Sequence, residues 1–299
     1  MIAVLLTAVL LIPLRGAPLD CASCHKTIAA SFAATAHARA SRVANAESIL
    51  GSFAPPANAY YTRVPGVYFK MERREDGFYQ TAYEGTRVRS EKFDLVIGSG
   101  RRGQTYLYWR DGTLYQLPVS FHTATKRWID SPGFEEGKVH FGRVIPPQCL
   151  ACHANRHGTG FTLGIQCATC HGAAERHEQL TRPSGIAVCA RCHSSIAAEK
   201  PPDPDVHGNQ VGLLQASRCF QKSGWMTCTT CHDVHTTQRD ATALASRCAA
   251  CHQPQACPTA ALSANGATRC VECHMPVLPS KLIEVQSYRT HKIGIYRKR

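Results

Sequence analysis

Hydrophobic and polar positions alternate between residues 60 and 128, a spacing that indicates half-buried β-strands. The segments VYFKMERRE and FYQTAYEG flank Asp76-Gly77, and TYLYWR and TLYQLPVSF flank Asp111-Gly112. Asp-Gly favours the tight turn of a hairpin, so two hairpins are predicted, and FDLVI at 93–97 supplies a further strand. The same stretch holds 14 of the 23 aromatic residues. We predict a small antiparallel β insert over residues 59–135.

The N-terminus has a different pattern. Residues 1–17 contain the apolar run MIAVLLTAVLLIPL, which has the length of a signal peptide and is too short for a comfortable membrane span. We therefore predict a signal peptide over 1–17 and export from the cytoplasm. An uncleaved N-terminus that anchors the chain to a membrane is the alternative.

One short motif, C-x-x-C-H, recurs seven times and uses fourteen of the sixteen cysteines. We number these motifs 1 to 7 in chain order. Their residues are Cys21, Cys24 and His25; Cys149, Cys152 and His153; Cys167, Cys170 and His171; Cys189, Cys192 and His193; Cys228, Cys231 and His232; Cys248, Cys251 and His252; and Cys270, Cys273 and His274.

This motif is the signature of covalent haem c attachment. On a helix the positions i, i+3 and i+4 share a face, so both thiols can bond one porphyrin while the histidine reaches its iron. Zinc and iron–sulfur sites also use paired cysteines, but they need no histidine directly after the second one. We predict seven haems c, with the seven motif histidines as proximal iron ligands.

Six motifs fall within residues 149–274, which is too little chain to enclose each haem in its own side-chain core. Helical signals there are short and broken by proline and glycine. We therefore predict a mostly α multihaem cytochrome c with little regular structure, packed around its haems, and with the β insert between haems 1 and 2. The remaining boundaries are a first haem segment at 18–58 and a six-haem array with a C-terminal ligand tail at 136–299.

The formal charge of +13 could suggest a nucleic-acid partner. Each haem, however, brings two propionates, so seven haems nearly cancel this charge, and the basic residues serve mostly as propionate partners. We predict no nucleic-acid binding. Redox proteins are the expected partners, and the many thiols together with the predicted export indicate a periplasmic or other extracytoplasmic location.

Eight histidines lie outside the motifs, and methionine, the other common second ligand of haem iron, is scarce. The sequence therefore favours bis-histidine ligation. His235, three residues after His232, cannot reach the far side of the same iron and should serve a neighbouring haem. Ligation is favoured for five of the eight, which are His37, His177, His207, His235 and His291. For His140 and His157, ligation and a structural role both stay open. For His122, a structural role is favoured.

Two features remain outside this scheme. The segment from Gly98 to Gly103, GSGRRG, matches the dinucleotide fingerprint, but a strand follows it where a nucleotide site needs a helix. We interpret it as a hairpin turn. Cys219 and Cys257 are the two cysteines outside the motifs, and we expect them to form a disulfide; a free thiol or a thiolate beside a haem are the alternatives.

The blocks CHGAAERH, DVHGNQVGLLQASRCFQKSGWMTCTTCHDVH, CVECHMP and SYRTHK, with LPVSFHTATKRWIDSPGF in the insert, resemble heptahaem c-type cytochromes. These belong with the tetrahaem cytochrome of ammonia oxidisers, pentahaem nitrite reductase and hydroxylamine oxidoreductase. The resemblance covers nearly the whole chain after the predicted signal peptide. It implies that His177, His207, His235, His291 and, in SFAATAHARA, His37 are distal ligands.

The chain differs from the enzymes of the superfamily it resembles in ways that bear on activity. Pentahaem nitrite reductase has a lysine in place of one motif histidine, and no C-x-x-C-K occurs here. Hydroxylamine oxidoreductase carries eight haems and a cross-linked tyrosine. We therefore predict an electron carrier with mostly bis-histidine haems and assign no catalytic residue. A reductase that acts on a nitrogen or sulfur oxyanion at one open haem is the alternative.

Overall fold

The computed structural model describes residues 20–157, 160–172, 177–179, 185–194, 209–238, 240–253, 269–280 and 287–296. Helix and strand hold nearly equal shares, so the prediction of a mostly α protein is wrong. The reason is length: each motif needs only about one helical turn, whereas the strands of the insert run to eight residues. No described helix is long and apolar enough to cross a bilayer, and the predicted signal peptide lies outside the described residues.

The described strands form two larger sheets and two ribbons. In chain order they are β1 Ser41–Val43, β2 Ala59–Tyr61, β3 Val67–Arg74, β4 Gly77–Glu84, β5 Arg87–Lys92, β6 Leu95–Ile97, β7 Gly103–Arg110, β8 Thr113–Gln116, β9 Val119–His122, β10 Arg127–Asp130, β11 Ala154–His157, β12 Gly160–Leu163, β13 Val277–Pro279 and β14 Ser287–Arg289. The first sheet has the order β1-β6-β7-β9-β10 with β8 on β7, the second has the order β2-β3-β4-β5, and β11–β12 and β13–β14 are antiparallel ribbons.

The described α-helices are short. They are α1 Cys21–Cys24, α2 Lys26–Ala33, α3 Pro147–His153, α4 Cys167–His171, α5 Ala187–His193, α6 Gln210–Gln215, α7 Arg218–Ser223, α8 Ala241–Ala249 and α9 Cys270–His274, with single 3₁₀ turns at His177–Gln179 and Cys228–Thr230. The motifs therefore lie on or beside one short helix each.

Both predicted hairpins form. β7 and β8 pair Arg110 with Thr113, and Asp111 and Gly112 both have positive φ, as a type I′ turn requires. The first hairpin pairs Arg74 with Gly77, so its turn lies one residue earlier than the Asp-Gly pair predicted. The predicted strand TLYQLPVSF is divided into β8 and β9 at Pro118, which lacks the N–H that a continuous ladder needs.

The two larger sheets enclose the main core. Phe69 and Met71 from the second sheet pack with Val96, Tyr106 and other aromatic residues of the first sheet. Because side chains alternate along a strand, Leu95, Ile97 and Leu107 point to the opposite face of the first sheet. There they contact Leu150 of α3 and Phe161 and Leu163 of β12. The first sheet is thus covered on both faces, and its outer face positions motif 2.

Candidate haem sites

The backbone of the motifs brings two cysteines and a histidine to one face. The amide of His25 donates to the carbonyl of Cys21, and the amides of His232 and His252 donate to the carbonyls of Cys228 and Cys248, each at 2.9 Å. These i to i+4 bonds are the geometry that the spacing predicted. Local caps start the turns: Asp20 accepts from the amide of Ala22 before motif 1, and Thr227 forms a capping box before motif 5.

The thiols are accessible to a cofactor. All fourteen motif cysteines are half-buried or exposed. Within the described residues, no cluster of three or more histidine, cysteine or acidic side chains is arranged to hold a metal ion. The donor set of each motif, two accessible thiols and one imidazole, fits covalent haem c.

Four motif histidines face a histidine from outside the motifs. The ring centroids are 6.1 Å apart for His25 and His177, 6.0 Å for His37 and His193, 6.1 Å for His171 and His235, and 6.3 Å for His232 and His291. In the described part of the chain every such imidazole pair joins one motif histidine to one non-motif histidine.

This separation matches the requirement of one metal ion between two imidazoles. A metal–nitrogen bond of about 2.0 Å, extended by the roughly 1.1 Å from nitrogen to ring centre, places opposed ring centres about 6.3 Å apart. His37, His177, His235 and His291 therefore fit as distal partners of motifs 4, 1, 3 and 5. His235 lies opposite His171 of motif 3; the prediction that it serves a haem other than that of its own motif stays a prediction, as does ligation by each of these residues.

Two of the four pairs are well enclosed. Burial lowers the pKa of His37, His193 and His232, and it lowers the pKa of His291 to about 4. Imidazole ligates metal in its neutral form, so these lowered pKa values favour the ligating state at neutral pH.

Several rings are oriented by a hydrogen bond at Nδ1. The Nδ1 atoms of His193, His274 and His291 lie 3.3 Å from Gln210 Oε1, 2.8 Å from the carbonyl oxygen of Gly294 and 3.2 Å from that of Arg289. An Nδ1–H that donates to oxygen leaves Nε2 with a free lone pair directed away from the backbone. The segment around Gly294 thus supports motif 7 although the sequence analysis assigned it no role.

Two of the remaining candidate histidines, His122 and His140, make local contacts. His122 is buried on β9 and its Nδ1 lies 2.9 Å from Thr125 Oγ1, a local structural contact. His140 is exposed and its ring centroid is 6.4 Å from that of Phe134. The side chain of His157 and all of His207 lie outside the described residues. Among the parts of the chain that the structure describes, no second imidazole lies at axial spacing from His252 or His274.

Thiols of different motifs lie close together. Cys152 Sγ is 3.9 Å from the carbonyl oxygen of Arg191, and Cys192 Sγ is 3.8 Å from that of Ala151, so motif 2 packs against motif 4. The thiols of Cys228 and Cys189 form a hydrogen bond that lowers the pKa of Cys189. Motif 5 therefore also lies beside motif 4. Motifs 2, 4 and 5 therefore lie next to one another in the fold.

The structure places further residues near the motifs. Arg101 and Arg102 act electrostatically on His232 and His291, although they lie far from motif 5 in sequence. Cys219 lies near Cys231 and Cys248. Burial raises the pKa of both thiols, and Cys219 contributes to the increase. Its expected partner Cys257 lies outside the described residues, so the disulfide stays a prediction.

Comparisons with known proteins agree with this chemistry. The family profile described as "Doubled CXXCH motif" matches residues 161–198, which contain motifs 3 and 4. Among solved structures, the outer cell wall cytochrome OcwA is similar, with a TM-score of 0.57 and 12% sequence identity over 91% of this chain and 78% of that one. At that identity the likeness concerns the fold. No curated protein sequence matches the chain.

Proposed function

We propose that this chain, a multihaem c-type cytochrome by its doubled motif and its fold, binds seven haems c and relays electrons outside the cytoplasm. The single observation that carries the proposal is the set of four imidazole pairs at 6.0–6.3 Å. Two strong-field ligands keep haem iron six-coordinate, and a relay needs no vacant position. When bound, haem supplies one-electron redox chemistry.

The chain's own residues would prepare this chemistry in three ways. The motif thiols would fix each cofactor, and histidines from distant segments would supply a second ligand to its iron. The close approach of motifs 2, 4 and 5 supports transfer between neighbours.

The resemblance to heptahaem cytochromes supports the count of seven and membership of the superfamily that includes pentahaem nitrite reductase. The cell-wall origin in the name of OcwA accords with an extracytoplasmic location.

A specific observation favours a second candidate function. Within the described residues, His252 of motif 6 and His274 of motif 7 lack an opposed imidazole. If one of these irons keeps an open face, substrate can bind the metal there, and the protein would act as a reductase of a nitrogen or sulfur oxyanion.

Ligand binding to the purified holoprotein separates the two functions. Intact mass should first show seven haems. For a relay, the oxidised protein shows low-spin resonances at all haems or all but one, and the reduced protein binds little carbon monoxide. Stoichiometric binding of carbon monoxide or nitrite at one iron would replace the relay with the reductase.

A further inference from the structure

Residues 287–296 form one continuous segment that lies beside two motifs, and we call this segment the strap. It begins as β14, which pairs with β13 directly after motif 7. The amide of Thr290, a residue that is 2% exposed, donates to the carbonyl of Pro276 at 3.1 Å. The next residue is His291, whose ring faces His232 of motif 5. The strap therefore passes from motif 7 to motif 5 within a few residues.

Two residues of the strap fasten it to motif 7. Arg289 donates from Nη1 to the carbonyl of Val271 at 2.8 Å and to that of Met275 at 2.7 Å. The amide of Gly294 donates to the carbonyl of His274 at 3.1 Å, and Nδ1 of His274 lies 2.8 Å from the carbonyl oxygen of Gly294. Because a carbonyl oxygen only accepts, this Nδ1 carries the hydrogen. The strap thus sets the tautomer of the predicted proximal imidazole.

A buried hydroxyl fastens the strap beside motif 5. Ser217 is 1% exposed and is the N-cap residue of α7. Its Oγ accepts from the amide of Ile293 at 2.8 Å. The same Oγ lies 3.1 Å from the carbonyl oxygen of His291 and 3.2 Å from that of Leu213, two acceptors that share its one hydrogen. Ser217 therefore holds the two peptide groups that follow the candidate distal histidine.

The position of Ser217 is itself fixed relative to motif 5. The carbonyl of Ser217 accepts from the amide of Gln221 at 3.0 Å in the first turn of α7. At the other end of this helix, Oγ of Ser223 accepts from the amide of Met226 at 3.2 Å, two residues before Cys228. A short, hydrogen-bonded path therefore connects the hydroxyl that holds the strap to the thiols of motif 5.

We propose that the strap is a support shared by two haem sites, with Ser217 as the positioning residue that places His291 at motif 5. The inference rests on the proposed attachment of haem to motifs 5 and 7. Gly294 follows His291 by three residues, which span at most about 10 Å. So short a piece of chain has little slack. The imidazole that faces motif 5 and the carbonyl that orients His274 therefore move together.

Loosening the strap has a distinct chemical consequence at each site. At motif 5, a displaced His291 would leave the iron with one axial imidazole and therefore high-spin. At motif 7, a longer bond from His274 to the carbonyl of Gly294 would make the imidazole less basic. A less basic ligand stabilises ferric iron less, so the reduction potential at motif 7 would rise.

The test uses the holoprotein and loosens one end of the strap at a time. Ser217→Ala removes the hydroxyl beside motif 5, and Ser217→Thr keeps a hydroxyl there. Arg289→Met removes the donors to the carbonyls of motif 7. Haem count by intact mass, electron paramagnetic resonance and a spectroelectrochemical titration are recorded for each protein.

Each variant has a matched control that loses the same kind of bond elsewhere. Ser131 is also 1% exposed, and its Oγ donates to the carbonyl of Leu117 at 2.7 Å, so Ser131→Ala removes a comparable buried hydroxyl. Arg143 donates from Nη1 to the carbonyl of Pro132 at 2.7 Å, so Arg143→Met removes a comparable guanidinium. Neither control residue is part of the strap or of a motif.

Both strap variants should affect both sites. Ser217→Ala and Arg289→Met should each keep all haems, produce a high-spin signal of at most one haem and move one midpoint potential to a more positive value. The signal should match that of His291→Ala, which marks motif 5, and the shifted potential should be missing from a protein without Cys270 and Cys273. Ser217→Thr and both controls should leave signals and potentials in place.

The contrary results are distinct. Effects confined to motif 5 in Ser217→Ala and to motif 7 in Arg289→Met would overturn the shared support, and unchanged spectra in Ser217→Ala would overturn the role of its hydroxyl. If Ser217→Ala loses haem, Arg289→Met decides: a high-spin signal at motif 5 supports the strap, and its absence overturns it. Failure of His291→Ala to create a high-spin haem would instead contradict the axial pairing within the proposed function.

Discussion

Residues 41–145, which we call the β-region, and the motif region at 147–274 obtain their interior from different sources. The largest fully buried side chains, among them Phe69, Phe93, Tyr106 and Tyr108, all lie in the β-region. In the described part of the motif region no aromatic residue is buried, and the buried apolar residues are Ala154, Ile165, Val211, Leu214, Ala245 and Val271. The β-region therefore builds its main core from its own side chains, whereas the described part of the motif region does not.

Packing details support this contrast. In the β-region Phe93 meets Tyr106 edge to face at 4.6 Å between centroids, and Phe53 and Trp128 complete the cluster. Such ring pairs add to the free energy of burial. In the motif region the equivalent close contacts are between imidazoles and between thiols, which are the groups that would hold haem.

The largest effect should follow from withholding haem. If the chain is made without haem attachment, the β-region should stay folded and the motif region should be digested, because folding there is coupled to cofactor binding. Limited proteolysis with mass spectrometry would show fragments of about residues 41–145 surviving, against protection of both regions in the holoprotein. Protection of the motif region without haem would break the comparison.

Within the β-region, truncation of the core should be costly. Phe69→Ala removes a ring that is 1% exposed and should lower the free energy of unfolding by about 3–5 kcal/mol. Val88→Ala on β5 of the same sheet, 60% exposed, should change it by about 0.5 kcal/mol or less. Guanidinium denaturation followed by far-ultraviolet circular dichroism measures both. Loss of haem from the Phe69→Ala protein would mean that the two regions are not independent.

Within the motif region, a single imidazole should control a single iron. His235→Ala should leave the haem on motif 5 low-spin and turn the haem on motif 3 high-spin, because His235 faces His171 across 6.1 Å. Electron paramagnetic resonance detects the change, and a variant without Cys167 and Cys170 identifies the signal. His140→Ala is the matched control, since that exposed ring faces Phe134. A high-spin signal from motif 5 would contradict the pairing.

The packing of the β-region could be predicted from the sequence more completely than that of the motif region. Alternation and Asp-Gly turns located β3, β4, β7 and β8 because strand patterns report burial by side chains. Haem attachment was also predictable, because each of the seven C-x-x-C-H motifs is complete within five consecutive residues. The interior of the motif region was not, because haem leaves no periodic pattern in the residues around it. The ribbons β11–β12 and β13–β14 were missed for a related reason: their strands of three or four residues are too short to alternate visibly.

Pairings between distant segments also escaped prediction. The sequence supplied enough histidines for distal ligation but could not match His37 to motif 4 or His291 to motif 5, because those partners meet only in the folded chain. The proximity of Arg101 to His232 and of Arg102 to His291 likewise arises only in the folded chain. In each case, local chemistry was visible in the sequence and long-range placement was not.

The smallest effect concerns a polar link between the two sheets of the β-region. Tyr60 on β2 donates from its hydroxyl to Asp130 Oδ2 on β10 at 2.6 Å. Burial raises the pKa of Asp130, and the Tyr60 hydroxyl opposes that increase by stabilising the carboxylate. Tyr60→Phe removes a charge-assisted bond at a half-buried site and should lower the free energy of unfolding by about 1–2 kcal/mol near neutral pH.

The sign of the pH dependence follows from the raised pKa. A carboxyl group with a higher pKa in the folded than in the unfolded state destabilises the fold when ionised, and this penalty disappears as pH falls through the folded-state pKa. The loss caused by Tyr60→Phe should therefore be greater at about pH 7 than at about pH 4, because the raised pKa of Asp130 makes its carboxylate less populated at the lower pH. Tyr61→Phe, whose parent residue is 71% exposed, is the matched control and should be neutral at both values. Denaturation of the three proteins at both pH values measures the difference. A loss that is equal at the two pH values would show that the hydroxyl acts by packing alone, and a loss of motif-region haem would show that the link extends beyond the β-region.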